Sequence, residues 1–454
     1  MNTKALRQKI LDLAIHGKLV PQDPNDEPAS VLLERIKAEK ERLIKEGKIK
    51  RTKRSKAACD KPHYENEAPF EVPSSWEWTT IGDIAESNIG LTYKPTDICD
   101  YGIPVYRSNN IQNRCIDKTD LVRVDTKILD KQFLAIGDLL ICARNGSRRL
   151  VGKCALIEEL TEPTSFGAFM AVCRSIYNPW IYLLLNTNYF DRYLDDSNST
   201  TINQVTQTML LAFKIPFPPK KEQERVIKEV HKWFNLIDEV ENESERLQAF
   251  ITATKSKILD LAIHGKLVPQ DSTDEPASEL LKRINPKAVI ACDNPHYRNL
   301  PKGWAVCRLE DIVEYEQPTA YIVSSTDYDD SYPTPVLTAG KSFLIGHTND
   351  DEGIFSNLPC IIFDDFTTDS KLVNFPFKVK SSAMKILKVH KNLNIEYVAS
   401  FMSITRLIGD THKRYWISEY SKLEIPLPPY KEQVRIMNQI KLLFERLDSI
   451  TERL

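Results

Sequence analysis

The stretch KILDLAIHGKLVPQD occupies residues 9–23, and the same fifteen letters return at residues 257–271. The likeness continues beyond both copies, because Glu-Pro-Ala-Ser stands at 27–30 and again at 275–278. Chance does not produce an identity of this length within one chain. The sequence therefore contains a duplicated segment, and internal repeats of this kind decide the architecture of a fold.

A second repeated segment reads IPFPPKKEQERVI at residues 215–227 and IPLPPYKEQVRIM at residues 425–437. Each copy predicts a helix start, because its paired prolines end a strand-like stretch and Lys-Glu-Gln opens a turn of good helix formers. In mid-chain this helix runs unbroken into the second KILDLAIHGKL, whereas the equivalent unit is divided between the two chain ends. We therefore expect a closed two-fold pseudo-repeat in which the first and last helices lie close together.

Apolar residues from Lys221 to Ile263 recur mostly at three- and four-residue steps, which predicts one long amphipathic helix ending at Gly265. Unbroken, such a helix is roughly 65 Å long. Its apolar stripe needs a partner, which the C-terminal helix from Lys431 to Leu454 supplies together with the N-terminal helix. We expect an antiparallel helical pair.

Between the repeated segments lie two stretches that differ greatly from each other. Both contain short β-type runs, such as Leu139–Cys142 and Ile361–Phe363, together with helical pieces. The sequence predicts an α+β fold, with two α+β domains related by pseudo-two-fold symmetry and separated by the long antiparallel helical (coiled-coil) pair. The expected segments are 1–69 (half-helix, linker helix and basic linker), 70–218 (first variable domain), 219–297 (central helix and linker), 298–428 (second variable domain) and 429–454 (C-terminal helix).

Composition limits the classes of function. The formal net charge of −2 argues against a protein whose whole surface binds polyanions, so any nucleic-acid contact must come from local basic clusters. The stretch Lys48–Lys56 is one such cluster, interpreted as a solvated linker or as a phosphate contact. Nine cysteines occur without a C-x-x-C pair, and no apolar run approaches membrane-spanning length, so we expect a cytoplasmic protein with reduced thiols.

The motifs of DNA-modifying enzymes are missing from the sequence. An adenine methyltransferase requires an Asn/Asp-Pro-Pro-Tyr/Phe tetrad and a glycine-rich turn, and the sequence contains neither. Ala339–Ser342 resembles the end of a phosphate loop, but Pro335 stands where an earlier glycine is required. We expect no catalytic residue, no metal site and no cofactor in this chain.

Two weaker candidates for chemistry have more ordinary explanations. Asp364, Asp365 and the triplet Asp369–Lys371 are residues from which a metal-dependent nuclease site could be built, although a polar loop after a buried strand is the favoured interpretation. His16 and His264 stand at equivalent helix ends, where capping is favoured over metal binding.

DNA contact has better support in the first variable domain. A polar, basic loop follows the β-type run Leu139–Cys142. Arginine can bridge two acceptors of guanine, asparagine can pair with the edge of adenine, and serine can hold phosphate. The candidate DNA-binding residues there are Arg144, Asn145, Ser147, Arg148, Arg149 and Lys153.

Comparable polar turns occur in the second variable domain, where basic residues also stand near the domain's end. A few good base contacts per domain are enough for discrimination, since each bidentate pair contributes about 1–3 kcal/mol. The candidates in this domain are Thr338, Lys341, Asp365, Thr367, Thr368, Lys371, Lys413 and Arg414.

With these features in order, the chain resembles the specificity subunit of type I restriction-modification systems over essentially its whole length. The resemblance rests on the two IP-x-PP-x-KEQ helix starts, the two LDLAIHGKLVPQD helix ends, and the segments VPSSWEW and LPKGWAV around Trp76 and Trp304. Because the chain begins with a repeated half-helix, it looks like a circularly shifted subgroup of this family.

The resemblance implies a non-catalytic protein whose variable domains are two target recognition domains, each reading one half of a bipartite asymmetric DNA site. It further implies two methyltransferase subunits as partners, which bind S-adenosylmethionine and methylate adenine, with motor-nuclease subunits as further partners. The helical pair would act as a ruler between the readers. Two alternatives stay open at this point: a self-sufficient DNA-modifying enzyme, and a coiled-coil scaffold without DNA readout.

Overall fold

The structure is a computed structural model that describes residues 2–47, 68–197, 203–290, 297, 299–338, 342–407 and 414–453. It divides into two compact units, Met1–Asn242 and Glu243–Leu454, and each unit combines helices with small sheets. The α+β class expected from the sequence is therefore confirmed. The basic stretch Lys48–Lys56 lies outside the described residues. The expected segment bounds and the expected closeness of the first and last helices stay predictions.

The first unit contains one helix–loop–helix segment followed by an α+β domain. In chain order its elements are α1 (Thr3–Ile15), α2 (Ala29–Lys45), β1 (Glu77–Thr80), α3 (Ile81–Ile84), β2 (Glu86–Ile89), β3 (Ile98–Cys99), β4 (Ile103–Tyr106), β5 (Ile111–Gln112), β6 (Cys115–Ile116), β7 (Val122–Val124), β8 (Leu139–Cys142), β9 (Cys154–Leu156), β10 (Ser165–Phe166), β11 (Met170–Arg174), α4 (Asn178–Leu185), α5 (Asn188–Ser197), α6 (Gln207–Ala212) and β12 (Lys214–Phe217).

Helix α7 (Lys220–Ile263) begins in the first unit and ends in the second. It spans 44 residues without a break, which confirms the long helix predicted from Lys221 to Ile263. The elements that follow are α8 (Ala277–Ile284), β13 (Ala305–Arg308), β14 (Val313–Glu316), β15 (Thr334–Leu337), β16 (Leu344–Thr348), β17 (Cys360–Asp364), β18 (Ser370–Val373), β19 (Lys378–Val379), β20 (Met384–Val389), α9 (Ile395–Ile404), β21 (Glu424–Leu427) and α10 (Tyr430–Thr451). No helix among the described ranges is both long and apolar enough to cross a membrane.

In the first unit, α1 packs antiparallel against the first part of α7. The Arg7 guanidinium donates to Asp238 at 2.7 Å and lies 5.5 Å from the centroid of the Phe234 ring. Further along, Arg225 donates to the buried carboxylate of Asp26 at 2.6 Å. As the chain advances from Arg7 to Asp26, its partners on α7 run backwards from 238 to 225, and this order establishes the antiparallel direction.

The second unit repeats this arrangement between the last part of α7 and α10. Lys255 pairs with Asp448, and its ammonium nitrogen lies 5.2 Å from the centroid of the Phe444 ring. Arg435 donates to the buried carboxylate of Asp274 at 2.7 Å. A cation, a phenylalanine, an aspartate and a buried Arg–Asp pair thus recur at equivalent places, which confirms an antiparallel helical pair within each unit.

Both helical ends that carry the repeated HGKL sequence stop in the same way. Gly17 and Gly265 have φ of +64° and +66°, a left-handed conformation that glycine adopts without steric cost. His16 and His264 each place Nδ1 2.7 Å from the carbonyl oxygen four residues earlier in the helix. The two histidines therefore cap helix ends, as the sequence predicts.

Each α+β domain is closed by a pair of antiparallel strands. β1 pairs with β12 so that Glu77 faces Phe217, and β13 pairs with β21 so that Ala305 faces Leu427. The chain consequently enters and leaves each domain at the same point. One buried aromatic residue per domain holds this closure: Trp180 donates to the carbonyl of Pro216, and Tyr397 donates to that of Pro426, each the last but one residue of its closing strand.

The central sheet of each domain has four strands in the same order, β2-β11-β8-β9 and β14-β20-β17-β18. Because side chains alternate along a strand, Leu139 and Ile141 of β8 pack on the helical side, whereas Leu140 and Cys142 face a second apolar cluster. Burial on both faces explains why β8 reads as a continuous apolar run, LLIC.

Candidate DNA-recognition surfaces

The first candidate surface is the loop 143–153, which connects β8 to β9. Its first residue, Ala143, donates its backbone N–H to the carbonyl of Phe169 at 2.9 Å and accepts from the N–H of Val205 at 2.7 Å. These bonds fix the next residue, Arg144, at the surface, where its guanidinium lies 5.7 Å from the centroid of the Phe169 ring. Phe169 itself is 63% exposed. The arrangement presents an arginine and an aromatic ring to solvent side by side.

Asn145 and Ser147 lie next to this pair but are partly used within the protein. The Asn145 side chain donates to the Ser108 hydroxyl at 3.2 Å and accepts from the backbone N–H of Ser147 at 2.9 Å. The amide of Asn203 donates to the carbonyl of Gly146 at 3.2 Å. These bonds make the loop a built structure, and they leave the exposed Ser147 hydroxyl at its edge.

The remaining basic residues of the loop differ in what they contact. Arg148 donates to the Asp195 carboxylate at 2.6 Å, so it ties the loop to α5. Arg149 is exposed. Lys153 is half-buried, and this burial lowers the pKa of its ammonium group. Of the three, Arg149 is the one whose side chain lies most open to a polyanion.

In the second unit the equivalent loop, residues 365–369 between β17 and β18, corrects two expectations. Asp365 is buried, accepts from the backbone N–H of Trp416 at 2.7 Å and lies 3.4 Å from the ammonium of the buried Lys385. Thr368 is also buried, and its hydroxyl accepts from the N–H of Leu407 at 3.1 Å. Both side chains support the loop from inside, because a buried carboxylate is stable only when it is paired.

The other candidates of the second unit are mostly exposed. Thr367 donates its hydroxyl to Asp364 at 2.7 Å, and Lys371 projects from β18. Arg414 is exposed, and its guanidinium lies 5.9 Å from the centroid of the Phe366 ring. Thr338 is half-buried at the end of β15. Lys341 and Lys413 lie outside the described residues.

The carboxylates considered for a nuclease site have internal partners instead. Asp364 accepts from the N–H of Phe366 at 3.0 Å as well as from Thr367, and Asp369 pairs with Arg406 at 2.6 Å. Across the described ranges, no group of three histidine, cysteine or acidic side chains is placed to hold a metal ion. The polar-loop interpretation of these aspartates is the one that the contacts favour.

Sequence reasoning missed the aromatic members of these surfaces. Phe169 stands in the apolar run GAFMAV and reads as a strand residue, although it lies just before β11 in an exposed turn. Phe366 stands between Asp365 and Thr367 and is half-buried. Aromatic residues next to arginine or polar loop residues were the available signal, because such mixtures are typical of nucleic-acid surfaces.

Comparison with known proteins identifies the family. The family model "Type I restriction modification DNA specificity domain" matches residues 73–249 and 301–454. The EcoAI specificity subunit of Escherichia coli is 28% identical over 98% of this chain and 90% of its own length, and the EcoEI specificity subunit of the same species is 32% identical over 68% of this chain and 62% of its own length.

A solved structure shows the same fold. A chain from a study of complex assembly and conformational transition of the type I R-M system aligns with a TM-score of 0.55, at 15% identity, over 85% of this chain and 94% of that one. Each of the two family matches covers one of the two α+β domains. This chain therefore belongs to the family of type I restriction-modification DNA specificity subunits.

Proposed function

We propose that this chain is the subunit that gives a type I restriction-modification complex its DNA sequence preference, and that each α+β domain reads one half of a bipartite, asymmetric target. The observation that carries the proposal is a contrast within the molecule. The helical pairs and closing strands repeat contact by contact, whereas the loops after β8 and β17 differ in length and in residues. A repeated set of helical pairs and closing strands that carries two different recognition domains suits a DNA target with two different half-sites.

The candidate surfaces, made of the loops and the segments next to them, supply the local positive charge that the whole chain lacks. The net charge is −2, so DNA affinity has to come from cations placed at the contact surface. Arg144 and Arg149 provide it in the first unit, and Lys371 and Arg414 in the second, all four with exposed side chains. Together with Ser147, Thr367 and the half-buried Asn145 and Lys153, they form the surfaces that we assign to double-stranded DNA.

The helical frame has a separate role in assembly. On α7 the side chains of Trp233, Leu236 and Val240 are 41%, 44% and 48% exposed, and their spacing of three and four residues places them along one face. On α10, Leu442 and Ile450 are similarly exposed. Apolar stripes of this kind mark docking sites, and we assign these two to the two adenine methyltransferase subunits of the complex.

The chemistry of the complex belongs to its partners in this account. The methyltransferase subunits bind S-adenosylmethionine and transfer the methyl group, and motor-nuclease subunits join the same complex. The chain itself positions DNA and does not catalyse. Because its partner is the chromosome and invading DNA, we also infer a cytoplasmic location.

Mapping methylated adenines in DNA exposed to the chain together with its methyltransferase subunits tests the proposal. We expect a single motif with two defined half-sites and a spacer of fixed length. Methyl transfer or cleavage by the purified chain alone would support the self-sufficient enzyme instead. Methylation without any sequence preference would support a scaffold that does not read DNA.

A further inference from the structure

The loops after β8 and β17 correspond position by position. Ala143 and Asp365 both donate their N–H to the carbonyl of the residue just before the neighbouring strand, β11 or β20, at 2.9 and 3.0 Å. The residues that follow them, Arg144 and Phe366, therefore occupy equivalent positions at the start of each loop.

The segments that cross these loops correspond in the same way. Val205 donates its N–H to the carbonyl of Ala143 at 2.7 Å, and Tyr415 donates to that of Asp365 at 3.0 Å. The residues just before them are Gln204 and Arg414. Gln204 forms an antiparallel bridge with Arg144, and Arg414 lies over Phe366.

Each unit thus carries one guanidinium over one aromatic ring at the same place in the fold, with the contributing segments exchanged. In the first unit the arginine comes from the loop, and its ring, Phe169, comes from the turn before β11. In the second unit the ring, Phe366, comes from the loop, and Arg414 comes from the crossing segment. Two unrelated sequences arrive at the same pair, although the repeat of the frame does not extend to these residues.

The charge of these two arginines is not neutralised locally. Among the described residues, no carboxylate oxygen lies within 4.0 Å of the Arg144 or Arg414 guanidinium. Their neighbours Arg148 and Arg406 differ, since both form ion pairs at 2.6 Å with Asp195 and Asp369. A cation–π contact with a ring holds the guanidinium beside the ring while leaving its N–H donors available.

We propose that this ring-flanked arginine reads a guanine in each half-site, Arg144 in the half read by the first unit and Arg414 in the half read by the second. The inference rests on the proposed function and assigns to it two specificity-determining arginines and two positioning residues, Phe169 and Phe366. In the major groove guanine presents two acceptors, O6 and N7, that match the fork of a guanidinium, whereas adenine and cytosine present an amino donor there. A guanidinium fork held at the surface beside a ring favours the base with two acceptors.

The test uses the complete methyltransferase complex and duplexes that carry its mapped target. Each guanine is replaced in turn by 7-deazaguanine, which keeps base pairing but lacks the N7 acceptor. We expect the wild-type complex to bind roughly fivefold more weakly, or worse, for one guanine in each half-site. The Arg144→Ala variant should lose this penalty in the first half-site and keep the one in the second, and Arg414→Ala should do the reverse.

Matched variants make the result specific. Phe169→Leu keeps an apolar side chain but removes the ring, so it should shrink the same N7 penalty without changing the second half-site. Arg144→Gln provides a second removal of the fork in case the alanine variant folds poorly. Arg246→Ala, which removes an exposed positive charge from α7, should leave every penalty unchanged.

Three results would overturn the inference while the proposed function stands: a first half-site without guanine on either strand, a wild-type complex that binds every 7-deazaguanine duplex as tightly as the unmodified target, or N7 penalties that all persist in Arg144→Ala and Arg144→Gln. A wild-type complex that binds the unmodified target no more tightly than a duplex of unrelated sequence would instead contradict the proposed function itself.

Discussion

The two units agree in their frame, by which we mean the antiparallel helical pairs and the closing strands, and they differ in the loops after β8 and β17. Gln22 donates to Glu222 and Gln270 donates to Glu432, at 2.7 and 3.2 Å, just as the buried Arg–Asp pairs repeat between the same elements. The connection after β8 is residues 143–153, whereas the connection after β17 is the shorter 365–369. The frame is constrained by burial, whereas the exposed residues of the loops are not.

This difference reflects two kinds of constraint on the residues of one chain. A buried contact fixes both of its partners, because removing either one leaves an unpaired charge or a cavity. An exposed loop residue is fixed only by what it binds. We therefore expect equivalent substitutions in the frames of the two units to change stability equally. Equivalent substitutions in the two loops should have different effects.

The largest equal effect is expected at the glycines that end the repeated helices. A Cβ atom on Gly17 would lie 2.7 Å from Cδ of Pro73, and one on Gly265 would lie 2.6 Å from Cδ of Pro301. Gly17→Ala and Gly265→Ala should each lower the free energy of unfolding of their unit by about 3 kcal/mol, through a left-handed backbone and a steric overlap. Urea denaturation of both variants measures this loss.

Gly47→Ala is the matched control for these glycines. Its φ is +71°, but no atom of the described residues lies within 4 Å of the added Cβ, so the backbone cost of about 1 kcal/mol is the effect expected there. Losses that differ strongly between Gly17→Ala and Gly265→Ala, or that match Gly47→Ala, would contradict the equivalence of the two frames.

A smaller equal effect is expected at the buried aspartates. The Asp26 and Asp274 side chains are 3% and 1% exposed, and their arginine partners about one third exposed. Arg225→Ala and Arg435→Ala should each destabilise their unit by about 2 kcal/mol, below the usual loss for a fully buried pair because water reaches the arginine. Thermal unfolding of the single variants and of the double variant Arg225→Ala/Asp26→Asn provides the measurement. Asp26→Asn should recover part of the stability lost in Arg225→Ala, because it removes the buried charge that is left unpaired.

The smallest effect is a pH dependence shared by the two buried glutamates. Burial raises the pKa of Glu222 and of Glu432 above the ordinary value of 4.5. The folded chain therefore holds protons that the unfolded chain has released, so this contribution to stability is complete below pH 4.5 and is lost as the pH rises through the raised pKa.

Glu222→Gln and Glu432→Gln should each flatten this part of the stability profile and leave the protein slightly more stable at neutral pH. Glu224→Gln, two positions further along α7 and exposed, is the control and should leave the profile unchanged. Thermal unfolding midpoints between about pH 4 and 7 give the comparison. A steeper profile in the glutamine variants would count against buried, proton-holding side chains.

Much of the fold followed from the sequence because the frame is local and repeated. The long helix was placed within one residue of its start, and the run Leu139–Cys142 coincides with β8. These elements are specified by periodicity, prolines and a terminal glycine, all of which are visible in a short window of sequence.

The burial of the residues in the recognition surfaces could be predicted less well from the sequence, because it depends on contacts with residues that are distant along the chain. Asp365 looks like an exposed loop residue until Lys385, from a neighbouring strand, neutralises it in the interior. Phe169 looks like a core residue until its turn proves to lie at the surface. No pattern along the chain contains this information, since burial depends on which strands become neighbours.

Replacing residues 305–427 by residues 77–217 tests the central claim most directly, because both segments begin and end on equivalent closing strands. The resulting chain carries the first reader twice on the original frame. If the units are independent readers, adenine methylation mapped with the methyltransferase subunits should report a target in which the first half-site occurs twice. A mapped target that still contains the second half-site would contradict the account.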